Sequence, residues 1–188
     1  MKNNVNRYTY TAVILHWLIA LGLIFNIILG ISTDFVADSD IRFVIDSHKS
    51  IGITLLGFVL LRIIWRISHQ PPSYPYQQPK IERVAASGTH IMLYVLMFML
   101  PLSGWMHDSA WKAATEIKMH WFGLFEWPRI AMIMQLESGL KEQLHSLLGG
   151  VHTWLSYMLY FLVSLHITAA LKHHFSKNQP VRGRGILP

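Results

Sequence analysis

Four stretches of this chain run far enough without fixed charge to matter to a bilayer, since a helix needs about 20 apolar residues to cross the hydrocarbon core. The first lies between Arg7 and Asp34, and its core, residues 12–31, holds only His16 and Asn26 as strongly polar members. The second begins at His48 and ends near Ile67, interrupted late by Arg62. From His48 to Arg66 the helical rise is about 27 Å, enough to cross if Arg62 snorkels to the interface. The third runs from Val84 to His107 and carries Pro101 near its end, which membrane helices tolerate. The fourth covers Leu147 to Leu171. The pattern predicts an all-α integral membrane four-helix bundle in one domain, 1–188. Its spans fall at about 11–31, 48–67, 84–106 and 147–171, and its outer loop at 107–146.

Composition agrees. Of 188 residues, 52% are hydrophobic and 14% charged, against about 25% charged in a soluble domain; the mean hydropathy is +0.34. With no cysteine, disulfides, thiolate metal sites, iron–sulfur clusters and thioether-attached haem are excluded. The first span is long, carries a histidine and lacks a small-residue cleavage site, so it is expected to stay attached rather than act as a signal peptide.

The net charge of +6 sorts by topology. Lys2, Arg7, Arg62, Arg66, Lys80, Arg83, Lys172, Lys177, Arg182 and Arg184 fall on one side with a single acid, Glu82. Arg42, Lys49, Lys112, Lys118, Arg129 and Lys141 fall on the other with nine acids. Positive residues mark the cytoplasmic side, so both termini are expected there. Basic residues distributed in this way form no nucleic-acid-binding face. Residues 70–79 (QPPSYPYQQP) read as an extended cytoplasmic connector. The outer loop mixes aromatics with charges and is expected to hold an interfacial helix over the outer mouth of the bundle.

Eleven histidines is a large number for such a chain, and ionisable groups inside a membrane mark function by default. His69, His120, His145, His173 and His174 read as interfacial or loop residues. His152 and His166 are different. Fourteen residues apart, they are separated by about 21 Å of helix and lie within about 40° of one face. Two haems stacked across a bilayer need that arrangement: one helix, one face, two depths. Each six-coordinate iron also needs a second axial ligand at matching depth on another helix. His48 opens the second span on the outer side and can meet His152; His16, about 13 Å beyond Arg7, can meet His166.

Depth alone leaves two alternatives open. His90 also suits His166, and His107 also suits His152, although 17 residues place His90 and His107 about 100° apart on their helix. Gly52, Gly149, Ser156, Ala169 and Ala170 offer room for a flat macrocycle near the four histidines, although small residues are common at membrane helix contacts anyway. Arg62 and Arg66 suit haem propionates or plain anchoring at the inner interface.

Several segments resemble the prokaryotic cytochrome b-561 family: RYTYTAVILHWLIALGL at the start, DSHKSIGI opening the second span, THIMLYVLMFMLPLSGW in the third, and GGVHTWLSYMLYFLVSLHITAALKHHF in the fourth. The resemblance covers about residues 7–175 and is weakest over 108–146. Its most specific elements are the His16–Trp17 pair and the 14-residue histidine spacing. It implies two non-covalent b haems, the inner held by His16 and His166 and the outer by His48 and His152. His90 matches a further family histidine, with an expected hydrogen bond to an inner haem propionate or quinone. The resemblance also implies a bacterial inner-membrane protein that oxidises superoxide on the periplasmic side and reduces ubiquinone. From charge and position, Lys49, next to His48, together with Arg42, Lys112 and Lys118, is expected to steer that anion, against nine acids on the same side. Its expected partners are lipid, quinone and a redox protein, with no nucleic acid. The alternative is an electron-transfer subunit linking a periplasmic dehydrogenase or hydrogenase to quinone. A histidine-lined proton or metal transporter is the third reading.

Overall fold

A computed structural model describes residues 8–69 and 80–175. The connector expected over 70–79 and the basic residues Lys2, Arg7, Lys177, Arg182 and Arg184 lie outside the described residues. Four long helices dominate: α1 (Tyr10–Ser32), α2 (Asp38–Ser68), α3 (Lys80–Ser109) and, after a structured loop, α5 (Ser138–Phe175), with a single turn α4 (Ala131–Met134) before it. All four long helices are long and apolar enough to cross a membrane. Side chains such as Leu21 and Phe25 on α1 and Trp154 and Phe161 on α5 face outward, where lipid makes the same apolar surface inexpensive.

Local chemistry sets the ends. Thr9 caps α1, its hydroxyl accepting from Ala12 N at 3.3 Å, and the same hydroxyl accepts from Trp65 Nε1 at 2.8 Å. Asp38 and Asp40 open α2 and Arg66 closes it, in keeping with the helix dipole. Pro101 sits inside α3 without ending it. Helix α2 begins ten residues before the expected span and α5 nine before it.

The bundle is assembled from two tightly packed pairs. α1 lies along α2, α3 lies along α5, and α2 joins α3; at most a marginal contact ties α5 to α1 or α2. Between the α1–α2 pair and α5 the backbones stand farther apart, and side chains meet across this slot. Its middle is apolar: Leu93, Leu96 and Leu100 of α3 and Leu159 and Leu162 of α5 form a buried cluster, flanked by Leu23, Ile27, Leu155 and Val163.

The outer loop corrects an expectation. In place of an interfacial helix it folds as a chain of turns, a β-hairpin and α4. Strands β1 (His120–Trp121) and β2 (Phe125–Glu126) pair antiparallel, His120 opposite Glu126 and Trp121 opposite Phe125. Phe122 (φ 48°) and Gly123 (φ 72°) are both left-handed, as a tight hairpin turn needs. Flanking aromatics favour strand over helix, and a helix cannot pass through two left-handed residues. The hairpin docks on α2: Ser50 Oγ accepts from Phe122 N at 3.0 Å and Trp121 Nε1 donates to Thr54 Oγ1 at 3.1 Å.

Candidate functional site

Two histidine pairs face each other across the slot. His48 of α2 and His152 of α5 stand with ring centres 6.2 Å apart and planes at 80°. His16 of α1 and His166 of α5 stand 6.3 Å apart at 65°. A metal–imidazole bond of about 2.0 Å, with the ring centre about 1.1 Å behind the donor nitrogen, separates two trans imidazoles by about 6.2 Å. Both pairs match that spacing.

The outer pair is also oriented. His48 Nδ1 donates to Asn26 O at 3.0 Å. His152 Nδ1 lies 3.1 Å from Leu100 O and 3.0 Å from Ser103 Oγ. An N–H directed at a carbonyl fixes the tautomer and leaves the Nε2 lone pair free, as metal-bound histidines are usually held. Room beside these rings comes from glycines on neighbouring helices. A Cβ on Gly30 would lie 3.2 Å from His48 Cε1, and one on Gly104 would lie 3.2 Å from His152 Cε1. The small residues expected in this role behave otherwise: Gly52 faces Asn26, and Gly149 faces His107.

The two competing histidines separate. His107 stacks on His145 at 3.9 Å and 15°, and each Nδ1 donates to the other's carbonyl, at 2.9 and 3.0 Å. This pair clasps α3 to the start of α5, with no space between its rings. It also brings His145 into contact with a bundle helix, where a loop residue was expected. His90 lies 5.3 Å from His166 at 63°, shorter than the trans spacing and on the close-packed α3–α5 side. His16 therefore fits His166 better.

The charged residues divide by end. Near the inner pair, Arg62 Nε donates to Tyr94 Oη at 2.9 Å and Nη1 to Ala12 O at 2.6 Å; Arg66 lies 5.8 Å over the Tyr94 ring. At the outer end, Asp108 receives Lys49 Nζ at 2.5 Å and Arg129 Nε at 2.8 Å. Arg129 Nη1 also donates to Ala114 O and Ile117 O. Arg42 pairs with Asp46 at 2.8 Å, and Lys118 with Glu126 at 2.7 Å. Hydrogen bonding from Lys118 holds the Glu126 carboxyl below the usual range. Three of the four cations expected to steer an anion thus face carboxylates, which weakens the field they would project. Lys112 alone of the four is in no ion pair among the described residues.

The donor set identifies the kind of group that fits. Among the described residues no three His, Asp or Glu side chains converge as a metal-ligand cluster. A bare cation such as zinc takes three or four protein ligands, whereas two opposed imidazoles suit an iron whose macrocycle fills the other positions. The sequence model of prokaryotic cytochrome b561 matches residues 7–182. The chain belongs to this family. It is therefore a multi-pass membrane electron-transfer protein of a haem b-binding family. Cytochrome b561 homolog 2 of Escherichia coli (strain K12) is 29% identical over 92% of this chain and 87% of its own length. A probable superoxide oxidase CybB of Yersinia pestis is 32% identical over 68% of this chain and 66% of its own. Cytochrome b561 homolog 1 of the same Escherichia coli strain is 25% identical over 91% and 92%. This cytochrome b561-family chain thus agrees with the fold and family read from its sequence.

Proposed function

We propose that this chain is a di-haem cytochrome of the bacterial inner membrane that takes electrons from superoxide at the periplasmic face and delivers them to ubiquinone. The observation that carries the reading is the pair of opposed histidines at each of two depths on α5, both spaced for six-coordinate iron. In this assignment His48 and His152 hold the outer haem and His16 and His166 the inner one. A bis-imidazole b haem supplies a one-electron iron couple with no open coordination position, suited to outer-sphere transfer.

The chain's own groups supply the rest. The Asn26 and Leu100 carbonyls hold the His48 and His152 rings in the ligating tautomer. Gly30 and Gly104 leave space beside those rings. Between the two depths, Leu93, Leu96, Leu100, Leu159 and Leu162 exclude water, so a proton cannot follow an electron along the slot. The stoichiometry balances: two superoxide ions each give up one electron and leave as dioxygen, and ubiquinone takes two electrons and two protons to leave as ubiquinol. The named relative in Yersinia pestis supports the choice of donor. The placement of lysine and arginine supports cytoplasmic termini, and a reporter fused within 108–146 should read out as periplasmic.

The paired outer cations favour a second reading, in which a periplasmic dehydrogenase or hydrogenase is the donor and the chain links it to quinone. Haem content and reduced-minus-oxidised spectra of detergent-purified protein come first, on the native chain and on His48→Ala and His166→Ala. Two b haems, with each variant losing a different one, are expected; a colourless native protein overturns the proposal. Superoxide-driven ubiquinone reduction by the purified chain then separates the readings. Its absence favours the partner-linked subunit.

A further inference from the structure

The two ends of the slot differ electrostatically. At the outer pair both ligand rings donate Nδ1–H to backbone carbonyls. The nearest cation, Lys49, sits against Asp108 and within 3.7 Å of Asp46. At the inner pair neither His16 nor His166 has such a carbonyl bond among the described residues. A cation stands there instead. Arg62 follows His48 on α2 by 14 residues, the spacing that separates His152 from His166 on α5, so it occupies the inner-depth position on the same face of its helix. Among the described residues its guanidinium donates to neutral oxygens, Tyr94 Oη and the Ala12 carbonyl, and has no carboxylate within salt-bridge distance.

Resting on the haem assignment above, we infer that Arg62 is a positioning residue that raises the reduction potential at the inner pair above that of the outer pair, and so gives electron flow its inward direction. Two effects act in the same sense. Reduction adds one negative charge, which a nearby cation in a low-dielectric slot stabilises. Carbonyl bonds at the outer ligands increase imidazole basicity and favour the oxidised form there. One electron leaving the outer site as one arrives at the inner site is then downhill.

The test is an optical redox titration of haem-loaded, detergent-purified full-length chain, preceded by the haem count. A count other than two, or the same haem missing from His48→Ala and His166→Ala, defeats the haem assignment and not the role of Arg62. With that assignment secure, two resolved components are expected, the higher one being the component lost in His166→Ala. Arg62→Gln should move that component down while the other stays, and Arg62→Lys should restore most of the shift. Tyr94→Phe keeps the charge and should leave both components in place. The inference is overturned if the higher component belongs to the outer pair, or if Arg62→Gln retains both haems with both midpoints unmoved. Should Arg62→Gln lose its inner haem, the native order and the Arg62→Lys midpoint decide: a reversed order, or an Arg62→Lys midpoint fallen to that of the outer component, overturns it.

Discussion

Replacing Asp108 by Asn tests whether the outer loop is held by charge. The Asp108 side chain is 6% exposed and Arg129 4%, with Lys49 at 16%, so removing the carboxylate strands two cations with little water to solvate them. Breaking a buried pair costs about 3–5 kcal/mol. Arg129 keeps its two carbonyl bonds at 2.6 Å and Lys49 keeps Asp46 at 3.7 Å, so the loss should fall near the lower end, about 3 kcal/mol. At about 2–4 °C per kcal/mol for a chain of this size, Tm falls by about 6–12 °C. Tryptophan fluorescence in detergent reads it, because Trp105, Trp121 and Trp127 sit around this loop. Adding Lys49→Met to Asp108→Asn should recover part of the loss by removing one stranded charge. Glu126→Gln, which opens the exposed pair with Lys118, should leave Tm in place. If Asp108→Asn is as mild as Glu126→Gln, the buried network does not hold the loop.

Further outcomes follow from single contacts. Gly104→Val places a Cβ 3.2 Å from His152 Cε1 and should take haem content from two to one, with the inner component of the spectrum intact. Leu159 is 1% exposed in the apolar layer, so Leu159→Ala should destabilise by about 2–5 kcal/mol in a denaturation series while both haems remain. Ser50→Ala leaves the Phe122 N–H without its acceptor. That should cost about 1–3 kcal/mol and expose the hairpin to limited proteolysis, with no change in haem content.

Read alone, the residues determine the solvent, the number of long helices and the depth of each histidine. These follow from one-dimensional quantities: charge-free length, the 1.5 Å rise per residue and the 14-residue interval on α5. Depth pairs His152 with His48 or His107, and His166 with His16 or His90, and takes the matter no further. Choosing among them needs distances between helices. The fold supplies these by packing α3 tightly on α5, which crowds His90 and turns His107 onto His145, while α1 and α2 stand off from α5 across the slot. The same holds for Gly30 and Gly104, which abut rings on other helices, and for Asp108, whose partners come from α2 and the outer loop. Aromatic alternation around Gly123 was legible as a turn signal, but the interfacial-helix expectation weighed composition over the left-handed turn that the chain adopts. Periodicity is a property of one helix. Which faces meet is decided only when the helices pack.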